Sequence, residues 1–440
     1  MIDTPDTHPV SSDHLRDMLD DSRARTIELT ADLPAERRLG PKLDIVNPPQ
    51  WEIGHVGFFY DHFVLHHFLN YSDYQIPHAQ ALYDSMGVPH DDRWDLGLPT
   101  MAETLDYLER IRNVMSEHLP AGTASPAMSY VWQLAVFHED MHAEAFTYSR
   151  QTLADSPPPI QPPAAGVSAP TRGDYSGEVS IPAGSHRLGA DADVPFRFDN
   201  EKLAHNRQFD AFQIDRAPVT NAQFARFVAA GGYSNRELWT DSGWAWREAE
   251  QLTAPVYWRA NGSAWEVRAF DRWQPMAPDA PVSHVSFHEA NAYCRWAGRR
   301  LPTELEWEVA ASREPDGAGL APGKRLYPWG DKPGDTTQAN TDGYQLGCAD
   351  VAAYAEGDSP LGCRQMLGNV WEWTASPFAP YPGFQAELYA DYSEPWFKDG
   401  RMVLRGGSWA TRRRYLNNNT RNFFPPGRND LVAGFRTCAC

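Results

Sequence analysis

Between residues 156 and 172 the chain reads SPPPIQPPAAGVSAPTR, and no packed core can be built through such a stretch. Proline fixes φ and brings no backbone N–H, so this density gives an extended, semi-rigid segment. It divides the 440 residues into halves of different texture. Before it, apolar residues recur at helical spacing. After it, Gly, Pro, Trp and Asp recur and long periodic runs are few. The predicted division is a helical domain over 1–155, a linker over 156–175 and an α+β domain over 176–440.

Four helices are predicted in the first half. Residues 11–32 carry Ser11, Ser12 and Asp13 as N-caps, with Leu15, Met18, Leu19, Ile27 and Leu29 as a rough apolar stripe. Pro48 and Pro49 break the chain before a second helix over 51–69. Residues 70–100 read as irregular. Thr100 precedes a third helix over 101–118, and the fourth runs over roughly 127–152.

The fourth helix contains FHEDMHAE, residues 137–144. His138 and His142 are one turn apart, so both rings lie on one face and can share a metal ion. A third ligand is needed. His55, in WEIGHVGFF (51–59), is preferred because Gly54 and Gly57 flank it and allow close helix approach. His62, His66 and His67 compete with it. Four helices with inward ligands are a known way to hold a metal in a bundle. HEDMH also matches the His-Glu-x-x-His signature of zinc proteases, in which Glu139 would be the general base.

Composition excludes several classes. A net charge of −19 argues against nucleic acid or an anionic membrane as partner. No run of 18 apolar residues is present, so no transmembrane helix is expected. The polar start MIDTPDTHPVSSDH shows no secretory signal. The 5 cysteines lack paired spacing apart from the terminal CAC, which points to a reduced, cytoplasmic protein.

In the second half, helices are predicted over Thr220–Ala230, over Ser286–Ala297 and from Thr303, where TELE is a capping box. The rest reads as short strands and long ordered loops, without internal repeat. The runs SIPAGSHRLGA (180–190), PVSHVSFHEANAYCRWAGRRLPTELEWEVAA (281–311), MLGNVWEWTASPF (366–378), VLRGGSW (403–409) and AGFRTC (433–438) together resemble the formylglycine-generating-enzyme-like fold, a C-type-lectin-related α+β domain. In those enzymes a cysteine pair after RGGSW holds copper. Thr411 and Leu416 stand at those places here, so that activity is not expected.

The first half resembles the DinB-like four-helix bundle. Bundle, linker and formylglycine-type domain in series resemble the non-haem iron sulfoxide synthases of ergothioneine biosynthesis. This resemblance implies iron(II) held by His55, His138 and His142, with hercynine, a sulfur or selenium donor and O2 as the other reactants. It also displaces the zinc-protease reading.

The donor is read from departures within that family. In the sulfoxide synthases an Arg-Asn-Trp-Asp run followed by an arginine grips γ-glutamylcysteine. The corresponding run is TRNFFPPGR (420–428), in which Asn422 and Arg428 match, Phe423 stands for the tryptophan and Phe424 replaces the aspartate. Met141 replaces a hercynine-contacting glutamine. Loss of a charged pair costs about 2–5 kcal/mol, so a zwitterionic donor is disfavoured. The runs VNPPQWEIGHVGFF, HDDRWDLGLP and RNFFPPGR are most similar to the selenoneine synthases, which join hercynine to the selenosugar 1-seleno-N-acetylglucosamine. Two other readings stay open: a sulfoxide synthase using cysteine or γ-glutamylcysteine, and a non-catalytic binding module. The family places a proton-donating tyrosine near iron after WEWT. Here Tyr381, in SPFAPYPGF, is the nearest phenol.

Overall fold

The computed structural model describes residues 8–162 and 175–440. The proline-rich prediction is therefore seen only in part. Residues 156–162 carry no helix or strand, and 163–172 lie outside the described residues, as do 1–7 of the amino terminus.

The first half is a bundle. Helix α1 (Ser12–Thr30) is capped by the Ser11 hydroxyl. Helix α2 (Pro49–Phe59) starts on the predicted proline break and runs directly into a π-helical stretch, Tyr60–Phe68. The sequence reading had one uniform helix there. Residues 79–83 add a short helix, α3 (Ala79–Tyr83), to the region read as irregular. Helix α4 (Met101–His118) begins at a Thr100/Glu103 capping box. Helix α5 (Pro126–Thr152) is capped by Ser125 and buried over most of its 27 residues, which makes it the axis of the bundle.

Two glycines set the spacing around α2. A Cβ on Gly57 would lie 2.9 Å from Cε1 of Tyr107 on α4. A Cβ on Gly54 would lie 2.2 Å from Cε1 and Cζ of Tyr83 on α3. Both contacts need a bare backbone, and the second seats Tyr83, whose carbonyl reaches His55.

Helices α6 (Asn221–Ala229), α8 (Phe287–Ala297) and α9 (Glu304–Ser312) fall where their caps predicted. Helix α7 (Asp241–Ala249) and a three-stranded sheet over Trp258–Pro275 were not foreseen. The sheet that matters for the site is built from distant motifs. Strand Trp371–Pro377 pairs antiparallel with Met402–Arg405 and parallel with Ala433–Gly434. Asn422–Phe424 pairs with Met402–Arg405, setting Val403 opposite Phe423. WEWT, VLRGGSW and RNFF thus become neighbours. Buried ion pairs lock them: Arg436 donates to both oxygens of Glu372 at 2.7 Å, and Arg405 to Glu308 at 2.6 Å. Removing one partner from such a pair costs about 3–5 kcal/mol.

The halves dock through α5. The Glu144 carboxylate accepts from Trp371 Nε1 at 2.9 Å, Ser408 Oγ at 2.6 Å and Thr411 Oγ1 at 2.7 Å. One turn earlier, Asp140 pairs with Arg414 at 2.8 Å. Among the described residues, no helix is long and apolar enough to cross a membrane.

Candidate metal centre

His55 from α2 and His138 and His142 from α5 converge. Their ligand-capable nitrogens lie within 4.8 Å of one another. Ring centroids are 5.2 Å apart for His55 and His138, 4.9 Å for His55 and His142, and 4.6 Å for the α5 pair. Helical spacing brings the α5 pair together, and the packing of α2 against α5 brings the third ring in.

Each ring is oriented by what surrounds it. His55 Nδ1 is 2.8 Å from the Tyr83 carbonyl, so that nitrogen carries the proton and Nε2 keeps its lone pair. His142 Nδ1 is 2.6 Å from Oε1 of Glu52. Such carbonyl and carboxylate partners are the usual supports of metal-binding imidazoles. The His138 ring stacks on Phe59 at 3.7 Å, and its Nδ1 is buried without a partner among the described residues. Burial, helped by the neighbouring His142, lowers the His55 pKa to about 3 and pushes that of His138 well below the usual range. Both rings are therefore neutral at pH 7, as ligands must be. Three converging imidazoles, one with a buried unpartnered nitrogen, suit a divalent first-row ion.

The competing histidines face elsewhere. His62 Nδ1 is 2.8 Å from the Tyr74 hydroxyl, and His62 Nε2 is 3.1 Å from His67 Nε2. Glu139 is fully buried on the far side of its helix. Its carboxylate takes hydrogen bonds from Arg23 at 2.9 Å, Thr26 at 2.7 Å and Tyr60 at 2.7 Å. So committed, it is no general base, which removes the zinc-protease reading on structural grounds.

A cavity of about 390 Å³ adjoins the triad at the junction of the halves. The bundle supplies His142 and Met141 to its wall, and the second half supplies Trp371, Asn422, Phe423 and Phe424. Arg428 is not in that wall. It holds Asp430 through two bonds, of 2.6 and 2.7 Å, and its guanidinium lies 5.1 Å over the Phe424 ring.

The phenol beside the triad is not Tyr381. That hydroxyl points to Glu304 at 3.3 Å, and its ring packs under Arg421 at 4.1 Å and against His205. Tyr389 stands there instead. Its ring centroid is 5.7 Å from that of His138 and 4.8 Å from that of Phe59, and it lines the cavity. After the WEWT strand the chain folds back through two short 3-10 turns, Ala390–Tyr392 and Glu394–Lys398, and this return presents Tyr389. The nearest phenol in sequence was thus not the nearest in space.

The copper-binding pair of formylglycine-generating enzymes has no counterpart. The Thr411 hydroxyl serves Glu144, and Leu416 packs against Gly407. Cys438 is buried in a strand paired with Phe212–Asp215, and all 5 cysteines are free.

Two family descriptions match the chain. Residues 18–146 match the DinB superfamily, and 164–439 match the sulfatase-modifying factor enzyme 1-like domain. These accord with the bundle and the formylglycine-type domain that the motifs implied. The chain is 36% identical over 437 residues to the hercynine oxygenase of Mycolicibacterium thermoresistibile, covering 94% of this chain and 92% of that one. It is 36% identical over 418 residues to the hercynine oxygenase of Mycobacterium tuberculosis, covering 94% and 96%. Among solved structures, PvdO from Pseudomonas aeruginosa is similar over 59% of this chain and 93% of its own, with 22% identity and a TM-score of 0.38.

Proposed function

The chain belongs to the hercynine oxygenase family, and on that footing we propose that it is a selenoneine synthase, which uses iron(II) and O2 to form the C–Se bond between hercynine and 1-seleno-N-acetylglucosamine. Iron(II) bound by His55, His138 and His142 would supply the oxidising chemistry, as cofactors do when the protein supplies position and environment. The proposed division of labour follows the domains: 1–155 holds the metal, 176–440 roofs the cavity, and 156–175 joins them.

The observation that carries the choice of donor is the state of the TRNFFPPGR run at the cavity. Asn422, Phe423 and Phe424 line it, while the one arginine expected to grip a carboxylate is neutralised by Asp430. Against this run a zwitterionic donor would bury its charges unpaired and would depend wholly on charges elsewhere in the wall, whereas a neutral sugar carries no charge to pair.

The remaining roles belong to side chains. Met141 and Trp371, which line the cavity with His142, would bound the hercynine side of it and help to exclude water. Tyr389, whose phenol is held protonated by burial, takes the proton-donor role in place of Tyr381.

A donor panel tests the proposal. The iron-loaded protein, hercynine and air are incubated with the selenosugar, cysteine or γ-glutamylcysteine, and products are followed by mass spectrometry. Turnover of the selenosugar is expected. Turnover of the thiols alone would make the enzyme a sulfoxide synthase. No oxygen consumption with any donor would leave a binding module.

A further inference from the structure

The charged side chains of the cavity wall are not equally free. Glu144 is saturated by Trp371, Ser408 and Thr411. Arg421 is committed as well, with four of its five N–H donors engaged. It donates to Glu304 at 3.0 and 3.2 Å and to the carbonyls of Asn200 and Ala379 at 2.8 and 3.1 Å. Two charges remain. Asp391 is exposed at the cavity and its carboxylate has no hydrogen bond among the described residues. Arg401 donates from Nε to Asp399 at 2.8 Å and lies 4.0 Å over the Trp396 ring, but its two terminal nitrogens have no partner among the described residues. Stacking on Trp396 and the Asp399 bond fix the guanidinium plane, so those donors are held ready. Partial burial, and after it the Asp84 and Glu394 carboxylates, raise the pKa of Asp391, which makes added hydrogen-bond donors more welcome there.

We propose that Asp391 and Arg401 form the donor subsite, Asp391 accepting from the hydroxyls of the sugar and Arg401 donating to its acetamido carbonyl beside the indole of Trp396. The donor class rests on the function proposed above. The assignment of the two residues does not, because it follows from their being the uncommitted charges of the wall. Both come from the return segment after the WEWT strand, the same segment that presents Tyr389. One piece of chain therefore sets the phenol against the triad and the donor against the phenol.

The test compares Asp391→Asn and Arg401→Met with the parent protein, all iron-loaded and full length. Methionine keeps the packing on Trp396. The KM values for donor and for hercynine are measured separately, with thermal unfolding as a check on folding. A hydrogen bond to a charged group is worth enough that each variant should raise the donor KM about 10-fold or more. The hercynine KM and iron affinity should stay unchanged. An unchanged donor KM, or an equal rise for hercynine, overturns the assignment. If the parent turns over only cysteine or γ-glutamylcysteine, the selenosugar reading fails. The same variants assayed with that thiol then still decide the subsite, since a zwitterion would also need both charges.

Discussion

Nδ1 of His142 stands 2.6 Å from Oε1 of Glu52, which lies one turn before His55 on α2. One helix therefore supplies a candidate ligand and also the carboxylate that aims a second ligand from α5. Glu52 is almost wholly buried, at 1% exposure, so this pairing cannot be a solvent-screened accident. Glu52→Gln keeps the shape and removes the charge. Supports of this kind change metal affinity about 10–100-fold. Anaerobic iron titration should show that weakening with the fold intact, and unchanged affinity would contradict the orienting role.

Gly54 touches the same geometry from the other side. A methyl group there would displace Tyr83, whose carbonyl holds His55 Nδ1. Overpacking of this kind costs about 1–3 kcal/mol. Gly54→Ala should lower the unfolding free energy by that amount and weaken iron binding too. Gly97→Ala, where an added Cβ meets nothing within 4 Å, is the control and should do neither.

The two phenols separate cleanly in kinetics. A positioned proton donor contributes about 100-fold or more to turnover. Tyr389→Phe should lose that in kcat while keeping its iron. Tyr381→Phe gives up only the bond to Glu304 and should cost about 1 kcal/mol of stability with kcat retained. The reverse pattern would return the role to Tyr381.

His288 on α8 gives a pH test away from the metal centre. Burial lowers its pKa from 6.5 to about 4. The unfolded chain therefore binds a proton between those values that the folded chain does not. The stability this residue contributes is complete above pH 6.5 and is lost as the pH falls towards 4. One pKa unit is worth about 1.4 kcal/mol, so the loss amounts to about 3 kcal/mol. Denaturant unfolding of His288→Gln should show a shallower decline over that window, and an identical slope would contradict the assignment.

Much of this could be read in the chain before its fold was known. Helices α4 and α5 follow from apolar spacing and N-caps, and Thr303 with Glu306 announces α9. The α5 histidines are adjacent because helical periodicity is local. The third ring was preferred for the small size of Gly54 and Gly57, yet those glycines admit Tyr83 and Tyr107 rather than α5. The π-winding of Tyr60–Phe68 was not legible, because YDHFVLHHF is apolar and aromatic at either period. Tyr389, Asp391 and Arg401 were hidden for another reason. Their place depends on the path of a loop, and no periodicity encodes a path. Arg428 did carry a warning: Asp430, two residues on, is close enough to take its charge.

The account depends on three rings from two helices holding one ion, and anaerobic iron(II) titration of the parent beside His55→Ala, His138→Ala and His142→Ala tests that most directly. The parent should saturate at a single iron per chain, and each variant should lose both that iron and oxygen-dependent turnover while remaining folded. Parent-like iron affinity and turnover in any one of the three variants would contradict it.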